Sequence, residues 1–117
     1  MEKNSFNTGS VKPYPDIPSR TFDLLPRFIE KYGKKKVMFA CKVDGNWKKH
    51  NSRDFLKMTD TLSQGLIGLG VAKGDRVAVI SNNCPQWNMV DFAVQQIGAI
   101  LVPIYPTVRP TDYEHIL

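Results

Sequence analysis

The sequence predicts an α/β fold, and three observations carry the prediction. Residues 76–81 and 99–104 are short apolar runs, the pattern of strands buried on both faces. Between them Trp87, Val90, Val94 and Ile97 recur at helical spacing, so residues 76–104 form a strand–helix–strand unit of parallel-crossover length. Ahead of it, residues 36–51 alternate around Asp44-Gly45, the signal of a β-hairpin. The expected architecture is a short parallel sheet flanked by helices, plus a hairpin.

The elements follow in order. Residues 1–20 hold Gly9, Pro13, Pro15 and Pro18 with no apolar periodicity, and read as a flexible N-terminal arm. Residues 21–117 form the folded part. Leu24, Leu25, Phe28, Ile29 and Tyr32 step as a helix that Gly33 stops, with its regular part placed at Pro26. In the first hairpin strand Val37, Phe39, Cys41 and Val43 share one face and Met38, Ala40 and Lys42 the other. The return strand is Trp47 to His50. Ser52 is the expected cap of the next helix, with Asp54 in its first turn. Its inner face is expected to be Phe55, Met58, Leu62, Leu66 and Leu69, and Gly68 and Gly70 end it. Pro85 suits the first position of the crossover helix, and Gly98 closes it. Thr111 and Glu114 have capping-box spacing, which opens a helix close to Leu117. A helix that short cannot sustain itself, so the natural protein is expected to continue and this chain to be a truncated piece.

Bulk properties narrow the class. The chain has 117 residues, enough for one domain, and its 42% hydrophobic and 23% charged residues are globular values. No stretch has the length or apolarity of a signal peptide or a bilayer span, so the expectation is a soluble, cytoplasmic protein. Cys41 and Cys84 stand apart with no metal-site spacing, and Cys41 reads as a small core residue. The net charge of +5 draws on Lys34-Lys35-Lys36 and Lys48-Lys49. Neither run interleaves aromatic residues, so a solvated surface is preferred and nucleic acid is not an expected partner.

A self-contained catalytic site is not legible. The chain has no P-loop and no G-x-G-x-x-G, and Gly65, Gly68 and Gly70 fall at a helix end rather than between a strand and a helix. His50 and His115 have no nucleophile at motif spacing, and each reads as a surface histidine. The carboxyl ends of the parallel strands are where such sheets bind ligands. Here those ends are Ser81-Asn82-Asn83-Cys84, beside a helix start, and Tyr105-Pro106-Thr107. The first segment is either an anion site or a simple turn and cap; the second is either a binding loop or a rigid exit from its strand.

Residues 70–87, running from Gly70-Val71-Ala72-Lys73-Gly74-Asp75-Arg76 to Cys84-Pro85-Gln86-Trp87, resemble a stretch of the AMP-forming acyl-CoA synthetases. Gly98-Ala99-Ile100-Leu101-Val102-Pro103-Ile104-Tyr105-Pro106-Thr107 is similar to the next signature segment of that adenylate-forming superfamily. Pro85-Gln86-Trp87 with Val102 to Thr107 looks most like the long-chain fatty-acid–CoA ligases, and Trp47 to Ser52 fits the same branch. The likeness covers residues 21–117 and is specific over 65–110.

The resemblance implies a partial N-terminal subdomain of the acyl-CoA synthetase fold. It implies an enzyme that joins a fatty acid, ATP and CoA through an acyl-adenylate, releasing AMP and pyrophosphate, with Mg2+ at the phosphates. The family's phosphate loop, Thr-Glu pair, ribose-binding aspartate and catalytic lysine have no counterpart among these residues, so no catalytic residue is assigned and the fragment is expected to be inactive. A loop at the position of Tyr105, Pro106 and Thr107 lies near CoA in acetate-activating relatives, which makes these three the candidate cofactor-binding residues. Pro106 and Thr107 stand where those relatives have glycines, which works against close backbone approach. The resemblance also allows peripheral association with the inner face of a membrane, and self-association through faces a cut domain leaves open. Alternative readings are a ligase for another carboxylic acid, or a non-catalytic α/β interaction module.

Overall fold

The structure is a computed structural model that describes residues 18–117, so most of the arm expected over 1–20 lies outside the described residues. One 3₁₀ turn, Thr21–Asp23, runs directly into α1, Leu24–Tyr32. The helix thus begins two residues before Pro26, which sits in the first turn, where its missing N–H leaves no helical bond unmade. Arg20 donates from Nε and Nη2 to the two carboxylate oxygens of Asp23, at 2.8 and 2.9 Å, bracing this start. Gly33, at φ 88°, ends the helix.

Strands β1, Val37–Val43, and β2, Asn46–Asn51, pair antiparallel as expected. Asp44 and Gly45 both have positive φ, 50° and 80°, the geometry of a two-residue type I′ turn. A register shift between Val37 and Phe39 bends β1. Phe39 then stacks on Phe55, with ring centroids 4.6 Å apart.

Helix α2, Ser52–Gly68, corrects two expectations. Its cap is Asn51, whose side-chain oxygen accepts from the Asp54 N–H at 2.8 Å. Ser52 is the first helical residue, fully buried, and donates to the carbonyl of Gly33 at 2.9 Å. The inner face is Ser52, Phe55, Thr59 and Ser63, while Met58, Leu62 and Leu69 are exposed. Small side chains let α2 approach its neighbours closely. Thr59 then donates its hydroxyl to the Phe55 carbonyl one turn back at 2.9 Å, and the Ser63 hydroxyl has the Thr59 carbonyl at 3.1 Å as one of several acceptors.

Strands β3, Arg76–Ile80, and β4, Ile100–Ile104, pair parallel in the register Arg76 with Ile100 to Ile80 with Ile104. Helix α3, Pro85–Gln96, connects them and packs on β4 and on α2. Pro85 takes the first helical position, as expected. The buried residues of α3 are Pro85, Met89, Ala93 and Val94, whereas Trp87, Val90 and Ile97 are half-buried. The expected stripe is displaced because α3 shares its burial between two neighbours. β3 alternates exposed and half-buried residues rather than being buried on both faces. A two-stranded sheet packed against α3 leaves its other side uncovered.

The core is Leu25, Phe55 and Met89, with Met38, Phe39, Leu56 and Phe92 against it. Phe92 meets Phe55 edge-on with centroids 6.0 Å apart. Helix α4, Pro110–Ile116, starts one residue before Thr111, with Arg109 in the cap position and no side-chain cap bond. The expected capping box does not form, because Thr111 is already helical. Cys41 and Cys84 are free thiols, each half-buried. Among the described residues no helix is long and apolar enough to cross a membrane.

Candidate functional site

The parallel register places the ends of β3 and β4 side by side, because Ile80 pairs with Ile104. The chain then leaves both strands at the same end of the sheet. Ser81 and Asn83 from the first exit, Trp87 from α3, and Tyr105 and Pro106 from the second line a cleft of about 280 Å3. Two of the three residues expected to bind cofactor, Tyr105 and Pro106, line it, while Thr107 is not among its lining residues. Tyr105 is 79% exposed, so its ring is free to stack on a ligand.

The Asn82-Asn83 segment does not cap α3. The cap position is Cys84, with no side-chain cap bond. Ser81 donates to the Asn82 carbonyl at 2.9 Å, and its hydroxyl lies 3.6 Å from the Cys84 sulfur. The Asn83 side chain therefore stays available at the cleft. The cleft lining contains no lysine, arginine or carboxylate, so its recognition is by shape, stacking and neutral hydrogen bonds.

His50 is a correction. It was expected on the surface, yet it is 6% exposed and its Nε2 has no hydrogen-bond partner. An unpartnered buried polar atom costs roughly 1–3 kcal/mol. His115 is exposed on α4. No group of three or more His, Cys, Asp or Glu residues that could hold a metal ion occurs among the described residues.

A larger concavity lies between β2, α2 and α3, with a volume of about 740 Å3. Met58 and Leu62 are its exposed apolar side chains and Val90 a half-buried one, and the buried Met89 and His50 also line it. Sequence patterning missed it by assigning Met58 and Leu62 to the core. The signal that marks it is the hydroxyl stripe Ser52–Thr59–Ser63, which takes the inner face and turns Met58 and Leu62 outward.

The chain is 37% identical over 71 residues to the long-chain-fatty-acid–CoA ligase FadD15 of Mycobacterium bovis, covering 61% of this chain and 12% of that protein. It is 34% identical over 58 residues to the mitochondrial medium-chain acyl-CoA ligase ACSF2 of Macaca fascicularis, covering 50% of this chain and 9% of that protein. Among solved structures, a candidate long-chain-fatty-acid CoA ligase from Rhodopseudomonas palustris superposes with a TM-score of 0.70 at 31% identity, over 84% of this chain and 24% of the other. The chain thus spans about an eighth of the length of the first of these curated relatives. The family model of the AMP-binding enzymes matches residues 25–117, nearly everything from α1 onward, and by that match the chain belongs to the AMP-binding enzyme family.

Proposed function

We propose that the chain is the N-terminal part of an AMP-forming acyl-CoA ligase whose acid substrate is a long-chain fatty acid. The observation that carries this reading is the family match over residues 25–117. Trp87 of the Pro85-Gln86-Trp87 segment and Pro103 to Pro106 of the Val102 to Thr107 segment line one strand-end cleft. Relatives named for long-chain and for medium-chain acids both match, so the ligase class has broader support than the chain length. Long-chain preference rests on the likeness of those two segments.

In such a ligase the acid's carboxylate oxygen attacks the α-phosphorus of ATP, and pyrophosphate leaves. The CoA thiol then attacks the acyl carbonyl, the acyl–phosphate bond breaks, and AMP leaves. This chain's share is a wall of the site. Tyr105, Ser81 and Asn83 suit the neutral pantetheine arm of CoA, through stacking and amide hydrogen bonds. They do not suit its phosphates, since the cleft lining holds no cationic side chain. The described residues hold no metal-ligating cluster, so no step at Mg2+ is assigned to them. A cytoplasmic location belongs to the same proposal and is tested by cell fractionation.

The test uses the intact ligase that carries this chain. Acyl-CoA formation is measured with acetate, octanoate, palmitate and benzoate, and the expected order has palmitate highest in kcat/KM. Preference for acetate or benzoate would overturn the long-chain reading; absence of acyl-CoA with all four would overturn the ligase reading. Tyr105→Ala is expected to raise the KM for CoA about tenfold and leave that for ATP unchanged.

A further inference from the structure

Charge is segregated along this chain. Residues 34–57 hold seven lysines, one arginine and the two acids Asp44 and Asp54, a net charge of +6. The whole chain carries +5, so all the other residues together sum to −1. The positive segment is one continuous piece of structure: the loop after α1, the hairpin, and the first turns of α2. Backbone bonds fasten the loop to the helix start, from the Ser52 N–H to the Lys36 carbonyl at 2.9 Å and from the Arg53 N–H to the Lys34 carbonyl at 3.1 Å. In the hairpin Lys42 pairs with Trp47, and Ala40 with Lys49. Paired and alternate residues share a face, so these four lie opposite the Phe39–His50 pair, which is turned toward the core. Cations therefore follow the hairpin from Lys42 near its turn to Lys36 at its base, roughly 20 Å at the usual rise of a strand.

Lys34, Lys35, Lys36, Lys42, Lys49 and Arg53 are all exposed, and none is in an ion pair with a carboxylate of the described residues. Of the two acids, Asp54 is engaged by the Asn51 amide at 2.7 Å, and Asp44 sits in the turn. Trp47 stands among these cations, 63% exposed, with the Lys42 ammonium 5.4 Å from its ring centroid. An indole has an apolar body and a polar edge, the combination that settles at a lipid–water boundary. Two features select a lipid surface over nucleic acid. Lysine outnumbers arginine seven to one in 34–57, and hydrated point charges suit a diffuse anionic surface better than they suit bidentate phosphate recognition. Trp47 is also the one exposed aromatic ring in that segment, too few to stack successive bases. We propose that the outer face of the hairpin, with the loop at its base, docks this chain on an anionic phospholipid surface. The lysines meet the headgroups, and Trp47 enters the headgroup layer beside Lys42. The contact is peripheral, and it stands on charge and exposure rather than on the ligase reading.

The experiment measures co-sedimentation with vesicles of phosphatidylcholine alone and with about one third phosphatidylserine, for the 117-residue chain and for the intact ligase that carries it. Binding is expected to the anionic vesicles and to be at least about tenfold weaker to the neutral ones. Lys36→Gln/Lys49→Gln is expected to lose about thirtyfold, the usual combined loss for two surface lysines. Arg76→Gln/Arg109→Gln removes the same charge away from the hairpin and is expected to lose less than about threefold. Circular dichroism verifies that both variants fold. Anionic vesicles are also expected to blue-shift the tryptophan emission of the chain, and Trp47→Phe to abolish that shift. Equal losses from the two double variants would overturn the proposal, since net charge rather than this face would then govern binding. So would equal binding to neutral vesicles, a blue shift that survives Trp47→Phe, tighter binding of single-stranded oligouridylate than of the anionic vesicles, or binding by the chain and not by the intact ligase.

Discussion

Asn51 and Ser52 exchange the roles that residue preference assigns them. Both are good capping residues, and spacing places Asp54 equally well for either. The choice is made by Gly33, whose carbonyl accepts from Ser52 at 2.9 Å and so draws that hydroxyl inward. Asn51→Ala is expected to cost about 1 kcal/mol, the usual value of a cap, read as a lower urea midpoint. Glycines show the same dependence on surroundings. Gly98 has φ 74°, and an added Cβ would stand 3.0 Å from the Lys73 side chain, so Gly98→Ala is expected to lose about 1–2 kcal/mol. Gly65 lies inside α2 with nothing within 4 Å of an added Cβ, so Gly65→Ala is expected to gain about 0.5–1 kcal/mol. Asp23 adds a pH dependence. Its hydrogen bonds to Arg20 hold its carboxyl below the usual value, so the stability it contributes is present above about pH 4 and fades as pH falls further. Exposure of the pair keeps the effect small, and it should flatten in 0.5 M salt, about where screening becomes strong.

At the scale of elements, the four α-helices and four strands of the described region were legible and the 3₁₀ turn Thr21–Asp23 was not, while the inner faces of α2 and α3 were misjudged. Periodicity located α2 and α3 because apolar residues recur every three or four positions in both. It misjudged α2 because two stripes compete there. Met58 and Leu62 are the more hydrophobic, but Thr59 and Ser63 are small enough to sit against α3. Ser63 lies within hydrogen-bonding distance of the Ala93 carbonyl and the Gln96 side-chain oxygen, and Gln96 in turn donates to Asp60 at 3.1 Å. One hydroxyl proton serves one of these acceptors at a time, and the seam between the helices is built around it. Ser63→Leu is expected to overpack the seam and cost about 1–3 kcal/mol, whereas Leu62→Ser, on the outward face, should cost well under half as much. Comparing the two urea midpoints tests which stripe is inside. A larger loss from Leu62→Ser would reverse the assignment.

At the scale of the whole molecule, the hairpin and the parallel pair are separate two-stranded sheets joined through α2 and α3. Under the proposed ligase reading no catalytic residue is assigned to this chain, which leads to a direct expectation. The 117-residue chain alone should show no ATP–pyrophosphate exchange; measurable exchange by the pure chain would sink the division of labour proposed above. The sequence by itself determined the α/β class, the hairpin at Asp44-Gly45, the parallel crossover and the family. Those rest on local backbone preference, on residue spacing and on contiguous motifs, all of which are written along one strand of text. Tertiary structure alone decided that Met58 and Leu62 face outward and that His50 is buried with a nitrogen unpartnered. Each of these depends on which residues distant in the chain come to lie against one another, and close packing between helices can favour a small polar side chain over a larger apolar one.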